Sequence, residues 1–175
     1  MRHIYVNRLP GRHTLGIVKA GHLKLRCALG RSGIATFKRE GDGASPRGVW
    51  PLRQALYRAD RRGNRPATML PVRALRPDDG WCDAPFDSNY NRSVRHPYRA
   101  SAERMWRSDQ LYDLVIVVGH NDRPRVQGAG SAIFVHVASE SGGGLKPTEG
   151  CIALRLSDLR RLVAMIEPRT RLHIG

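Results

Sequence analysis

No apolar run in this 175-residue chain is long, and Gly, Pro or Asp cuts most of them short. Such punctuation admits short strands and turns and leaves little room for helices, which need longer periodic segments. At residues 22–29, Leu23, Leu25, Cys27 and Leu29 alternate with Lys24, Arg26 and Ala28. That period of two predicts a half-buried strand. Gly30-Arg31-Ser32-Gly33 predicts a turn, and residues 34–39 the return strand. A glycine-rich loop at 40–48 leads to a strand at 49–57, a basic loop at 61–66 and a short strand at 70–75. Residues 76–109 are irregular and rich in Trp, Tyr and Pro. Further strands are expected at 111–118, 132–137 and 169–174, with a loop at 120–130.

One segment alone has helical periodicity. Leu159, Leu162, Val163 and Ile166 stand at i, i+3, i+4 and i+7. Ser157 is the expected N-cap, Asp158 suits the first turn, and Pro168 stops the helix. The expected fold is mainly β: one compact domain over residues 1–175, with a short helix after Cys151.

Charge narrows the partners. Thirty Lys and Arg against fifteen Asp and Glu give +15. Such a surface attracts polyanions: nucleic acid, anionic lipid, or the carboxylates of a cell wall. No apolar stretch approaches the roughly 18 residues of a transmembrane helix. Residues 1–10 show neither an apolar signal core nor a small-residue cleavage site. Three cysteines, Cys27, Cys82 and Cys151, cannot all pair within the chain. No spacing suggests a zinc site, and no metal or cofactor is expected.

The chemistry concentrates near the C-terminus. Ile133-Phe134-Val135-His136 is a short apolar strand ending in histidine, and Thr148-Glu149-Gly150-Cys151-Ile152 follows a glycine-rich loop. A thiol needs a base to become a nucleophile, and a histidine alongside can serve. Gly150 permits a tight turn that could aim its amide and that of Cys151 at a developing oxyanion. Strand alternation puts Ile133, Val135 and Val137 on one face and Phe134 and His136 on the other. His136 can therefore face a cleft. For Glu149 three roles stand open: orienting His136, contacting a substrate amine, or a solvated loop charge. Cys27 is expected to pack in the core; Cys82 either packs or lines a groove.

These residues resemble the catalytic stretch of the L,D-transpeptidase (YkuD-like) family. His136 matches the family's upstream histidine, Thr148 its Ser/Thr, and Gly150-Cys151-Ile152 its core, while Glu149 and Ala153 depart from the common pattern. The segment at 41–52, Gly-Asp-Gly-Ala-Ser-Pro-Arg-Gly-Val-Trp-Pro-Leu, also resembles the family. Trp81-Cys82-Asp83, Asn89-Tyr90-Asn91-Arg92 and Gly130-Ser131-Ala132-Ile133 resemble a divergent branch of it. The likeness runs roughly from residue 15 to the end. It implies a β-sandwich with a catalytic cleft, in the periplasm or cell envelope.

The resemblance implies that Cys151 attacks a stem-peptide carbonyl of peptidoglycan, with His136 as base and a backbone carbonyl, at Val137 here, holding its other nitrogen. An amine from a second stem, or a D-amino acid, then resolves the thioester. A hydrolase using water through the same thioester is the near alternative. A basic nucleic-acid-binding β-domain is the distant one, although no recognition motif for specific nucleic acid appears. The predicted substrate-binding residues are Trp81, Tyr90, Asn91, Arg92, Trp106, His120, Asn121, Thr148 and Glu149. Arg47, Arg92 and Arg95 are further candidates to pair with stem carboxylates, or simply lie on the surface.

Overall fold

A computed structural model describes residues 1–61 and 65–175. The chain opens with an antiparallel meander of β1 (His3–Leu9), β2 (Arg12–Ala20) and β3 (Leu23–Ala28). A short parallel bridge joins β4 (Ile34–Ala35) to β5 (Ser45–Pro46). The long β6 (Gly48–Tyr57) pairs with β7 (Val72–Ala74). β8 (Asp79–Cys82), β9 (Ser93–Arg95) and β10 (Ala102–Arg104) make a small separate sheet. Next come β11 (Leu114–Val118), β12 (Phe134–Val137) and the hairpin of β13 (Glu140–Ser141) and β14 (Gly144–Leu145). β15 (Ile152–Leu154), α1 (Leu156–Val163) and β16 (Arg171–Ile174) complete the chain.

The main sheet runs β11-β12-β15-β3-β2-β1-β16-β6-β7, and β11 also pairs with β6. The layers of the expected sandwich are thus joined into one circuit, with β7 attached outside it. The mainly-β expectation holds, and among the described residues the one helix is the short one after Cys151.

The alternation in the sequence explains the core. Ile4, Val6, Val18, Leu23, Leu25 and Cys27 point inward from the meander and meet Val135, Ile152, Leu154 and Leu172. β11 is apolar at every position because both its faces are covered. Leu114, Ile116 and Val118 join the main core. Val115 and Val117 join a second cluster with Leu56, Leu75, Met105, Tyr112, Phe134 and Cys151.

Several elements differ from the sequence reading. The return strand expected at 34–39 shrinks to Ile34–Ala35 and pairs with β5, not β3. Phe37 is 89% exposed, so the segment has no apolar face to bury as a strand. Residues 76–109 hold the three-stranded sheet β8–β10, whose strands are too short to register as periodicity. The helix begins before Ser157, with Arg155 at the N-cap position and no side-chain cap. Burial of Leu159, Leu162 and Val163 sets its phase instead. The sheet also reaches back to His3, ahead of residue 15, because β1 pairs in parallel with β16. The basic loop expected at 61–66 lies partly outside the described residues.

Candidate active site

The site is built on the parallel pair β12–β15. Val135 lies opposite Ile152, and His136 opposite Ala153. Cys151, one residue before β15, therefore stands beside Phe134. Alternation places Phe134, His136, Cys151 and Ala153 on one face, away from Val135 and Ile152 in the main core. Cys151, Ala153 and His136 line one cavity of about 360 Å³.

The Cys151 thiol is held at two points. Its Sγ accepts from the Phe134 amide at 3.3 Å and donates to the Ala132 carbonyl at 3.3 Å. The residue is 9% exposed. Burial pushes its pKa up to about 12, with the Glu103 charge adding to the rise. The Phe134 amide and Lys38 oppose it.

His136 is its electrostatic complement. Nδ1 lies 2.8 Å from the Val137 carbonyl oxygen. A carbonyl can only accept, so Nδ1 carries the proton and Nε2 keeps its lone pair. Burial lowers the imidazole pKa to about 4. Thiol and imidazole are therefore both neutral near pH 7, rather than a thiolate–imidazolium pair. The Tyr112 ring meets the imidazole edge-on at 5.4 Å.

The loop before the nucleophile is fastened on three sides. Thr148 Oγ1 donates to the Cys151 carbonyl at 2.6 Å and accepts from the Gly150 amide at 3.1 Å. Ser45 Oγ also donates to the Cys151 carbonyl, at 3.3 Å. The Thr148 backbone exchanges hydrogen bonds with Leu29 and Arg31. Gly150 has φ +138°, and a Cβ there would lie 2.8 Å from the Ala44 carbonyl oxygen. Only glycine fits such a position without strain. At rest the Gly150 amide is thus occupied by Thr148 and not aimed at the cavity alone.

Glu149 lines the cavity rim and pairs with Arg31 at 2.7 Å, both side chains being well exposed. That arrangement suits a solvated loop charge and does not engage His136. The carboxylate whose charge reaches Cys151 is Glu103.

Of the nine predicted substrate-binding residues, Thr148 and Glu149 line this cavity. The other seven do not. Trp81 packs edge-on against Phe134 at 5.2 Å and donates to Asn91 Oδ1 at 2.9 Å. Trp106 stacks under the Arg58 guanidinium at 3.6 Å. Tyr90 is buried, its hydroxyl bonded to Glu40. His120 is buried against Trp50, with Nε2 3.0 Å from the Ala129 carbonyl oxygen. Asn121 folds its own loop through Val126 and Gly130. Arg92 lies with Trp81 and Arg123 in a different depression. The aromatics went inward because the second core beneath β11 and β12 needed their surface.

Asn91 ties neighbouring segments together. It is buried, and its Nδ2 donates to the carbonyls of His120 and Asn121. Its Oδ1 accepts from Trp81 and from the Ala132 amide. It thereby anchors the segment whose carbonyl receives the Cys151 thiol.

Sequence reasoning missed Glu103, Tyr112, Lys38, Glu40, Asp83, Arg107 and Ser131, all of which line the cavity. The Tyr112 hydroxyl donates to Glu103 Oε1, and burial raises the Glu103 pKa. No local motif marks these residues, although Asp83 and Ser131 lie inside segments that carried the family likeness. Cys82 is fully buried and packs rather than lining a groove; Cys27 is buried as expected. Among the described residues no cluster of His, Cys, Asp and Glu could hold a metal ion.

The comparison with curated proteins gives no match. The comparison with solved structures gives none either. The family model for the L,D-transpeptidase catalytic domain, YkuD, matches residues 1–174. With nearly the whole chain covered, and a cysteine and histidine brought to one cavity, the chain belongs to the YkuD family of L,D-transpeptidase catalytic domains.

Proposed function

We propose that this chain is a cysteine acyltransferase that acts on peptidoglycan stem peptides in the cell envelope. The observation that carries the reading is the His136–Val137 hydrogen bond, which leaves Nε2 unprotonated on a side chain that lines the same cavity as Cys151. Burial keeps the imidazole unprotonated at neutral pH, so it is free to accept a proton, although its lowered pKa makes it a weak base until the charge that develops is stabilised.

As Cys151 Sγ attacks the carbonyl carbon of a stem residue, its proton passes to His136 Nε2. The thiolate character that develops is stabilised by the Phe134 amide. The carbonyl oxygen becomes an oxyanion near the turn at Gly150 and Cys151, whose amides are its donors. The Gly150 amide must then exchange Thr148 Oγ1 for the oxyanion. Collapse expels the leaving amine, which takes the proton from His136, and a thioester remains. An acceptor amine attacks the thioester, gives its proton to His136, and the departing Cys151 sulfur recovers it. Water in place of the amine gives hydrolysis.

The test is mass spectrometry of the protein with disaccharide tripeptide, tetrapeptide and pentapeptide muropeptides, with and without a D-amino acid, beside Cys151→Ala. Crosslinked dimers or exchanged stems absent from the variant support transpeptidation. Trimmed monomers alone would assign a hydrolase. Unchanged substrates with no adduct on Cys151 would defeat the proposal.

A further inference from the structure

The chain carries fifteen acidic residues among thirty Lys and Arg. Twelve of the fifteen form ion pairs, from Asp42 with Lys38 to Glu167 with the N-terminus. Glu40, Asp83 and Glu103 have no ion pair among the described residues. All three line the cavity that holds Cys151 and His136. In so cationic a protein, carboxylates left without a cation are the exception.

The cations of the cavity are bonded elsewhere or stand apart, although the Arg107 charge still reaches Glu103. Arg107 bonds Asp109 through Nε at 2.9 Å and Nη2 at 2.7 Å. Lys38 is held by Asp42 at 2.6 Å. Lys146 lines the cavity without pairing with any of the three carboxylates. Glu40 and Glu103 each receive one tyrosine hydroxyl, from Tyr90 and Tyr112. Those neutral donors satisfy one oxygen and leave the charge.

A second observation is independent of the acids. Ser131, only 7% exposed, lines the same cavity, and its Oγ makes no well-formed hydrogen bond, since the neighbouring Tyr90 hydroxyl is committed to Glu40. Asp83 Oδ1 is likewise buried and without a partner. Buried polar atoms without protein partners are rare in folded proteins, and in a cavity they are open to a ligand's polar group or to water.

The complementary group is an organic ammonium. Three N–H donors on a positive centre match a set of carboxylates and a hydroxyl, each of which can accept. The side chains do not converge as a metal site requires. Asp83, Glu103 and Ser131 line the same cavity as Cys151, which places this wall beside the thiol that would carry the acyl group.

We propose that Asp83, Glu103 and Ser131, with Glu40 at the margin, form a subsite for the ammonium group of the acceptor that resolves the thioester. This rests on the acyl-transfer reading above. Holding the acceptor as its ammonium concentrates it beside the acyl enzyme. The amine becomes nucleophilic when one N–H proton passes to a carboxylate of the subsite, and the free pair then forms the new C–N bond as C–S breaks.

The experiment uses Cys151→Ala protein and two probes at pH 7. D-Alaninamide carries an ammonium and no carboxylate; N-acetyl-D-alaninamide is neutral. NMR titration is expected to show saturable binding of D-alaninamide, weakened about tenfold or more by acetylation of the probe, as for loss of a charge-assisted hydrogen bond. Asp83→Asn and Glu103→Gln, each added to Cys151→Ala, are expected to weaken it similarly. Equal binding of the two probes overturns the subsite even if both added variants fail to fold. Unchanged binding in both folded variants also overturns it. Intact-mass measurement of wild type with a tetrapeptide muropeptide separates the two claims. An adduct on Cys151 without ammonium preference sinks only the subsite. Ammonium preference without an adduct supports an ammonium site while sinking acyl transfer.

Discussion

The Asn91 side chain and the Cys151 thiol meet on opposite sides of a single peptide residue. Asn91 Oδ1 accepts from the Ala132 amide at 3.2 Å, and the Ala132 carbonyl accepts from Cys151 Sγ at 3.3 Å. A buried amide with φ +55° thus sets where the nucleophile's proton points. Asn91→Ala is expected to strand several buried partners, each costing about 1–3 kcal/mol. A lowered Tm by thermal melting, together with slower acylation of Cys151, checks this. Unchanged acylation at a temperature where the variant is folded would remove Asn91 from the positioning role.

His136→Asn is expected to lower the acylation rate by about 10²- to 10⁴-fold, the usual range for loss of a general base. The variant keeps a polar side chain and loses the free Nε2. Intact-mass measurement of adduct formation over time reads the effect directly. A rate near wild type would mean that another group takes the thiol proton.

The lowered His136 and raised Cys151 pKa values make stability depend on pH. An unfolded histidine binds a proton below about pH 6.5, whereas folded His136 resists it down to about 4. Stability from this group therefore falls as pH drops from 6.5 toward 4. Folded Cys151 keeps its proton up to about 12, whereas the unfolded thiol loses it near 9. Stability from that group falls as pH rises above 9. Urea unfolding across pH 4–11 should show a plateau between these limits. In the double variant His136→Asn, Cys151→Ala both slopes should become shallower, with Cys27 on the alkaline side and His120 on the acid side keeping the remainder.

Gly150→Ala is expected to abolish turnover. Its Cβ would collide with the Ala44 carbonyl oxygen at 2.8 Å, and its φ of +138° is foreign to alanine. Relief requires moving the turn that carries Cys151. The check is adduct formation beside the circular dichroism spectrum: a folded protein with a silent thiol is the predicted result, and a reactive thiol would contradict it.

The strand phase around His136 was legible because alternation is local: Ile133, Val135 and Val137 turn inward while Phe134 and His136 face the cavity side. Cys151 was legible from Gly150 and Thr148 beside it. The opposite wall was not. Glu103 and Tyr112 meet through the pairing of β8 with β10 and the packing of both under β11, contacts that no short window of sequence contains. Trp81 and Trp106, expected to line a groove because polar residues surround them, pack partly buried against the second core, outside the Cys151 cavity.

The circuit of strands has a consequence for the order in which this chain can mature. β16 sits between β1 and β6, and no earlier segment takes that place. A growing chain released residue by residue would therefore hold an unclosed hoop until residue 174 had emerged, although Cys151 and His136 had long been made. Until that final stave is driven in, β1 and residues 48–51 of β6 each offer a bare edge, the state most open to joining a neighbour's chain.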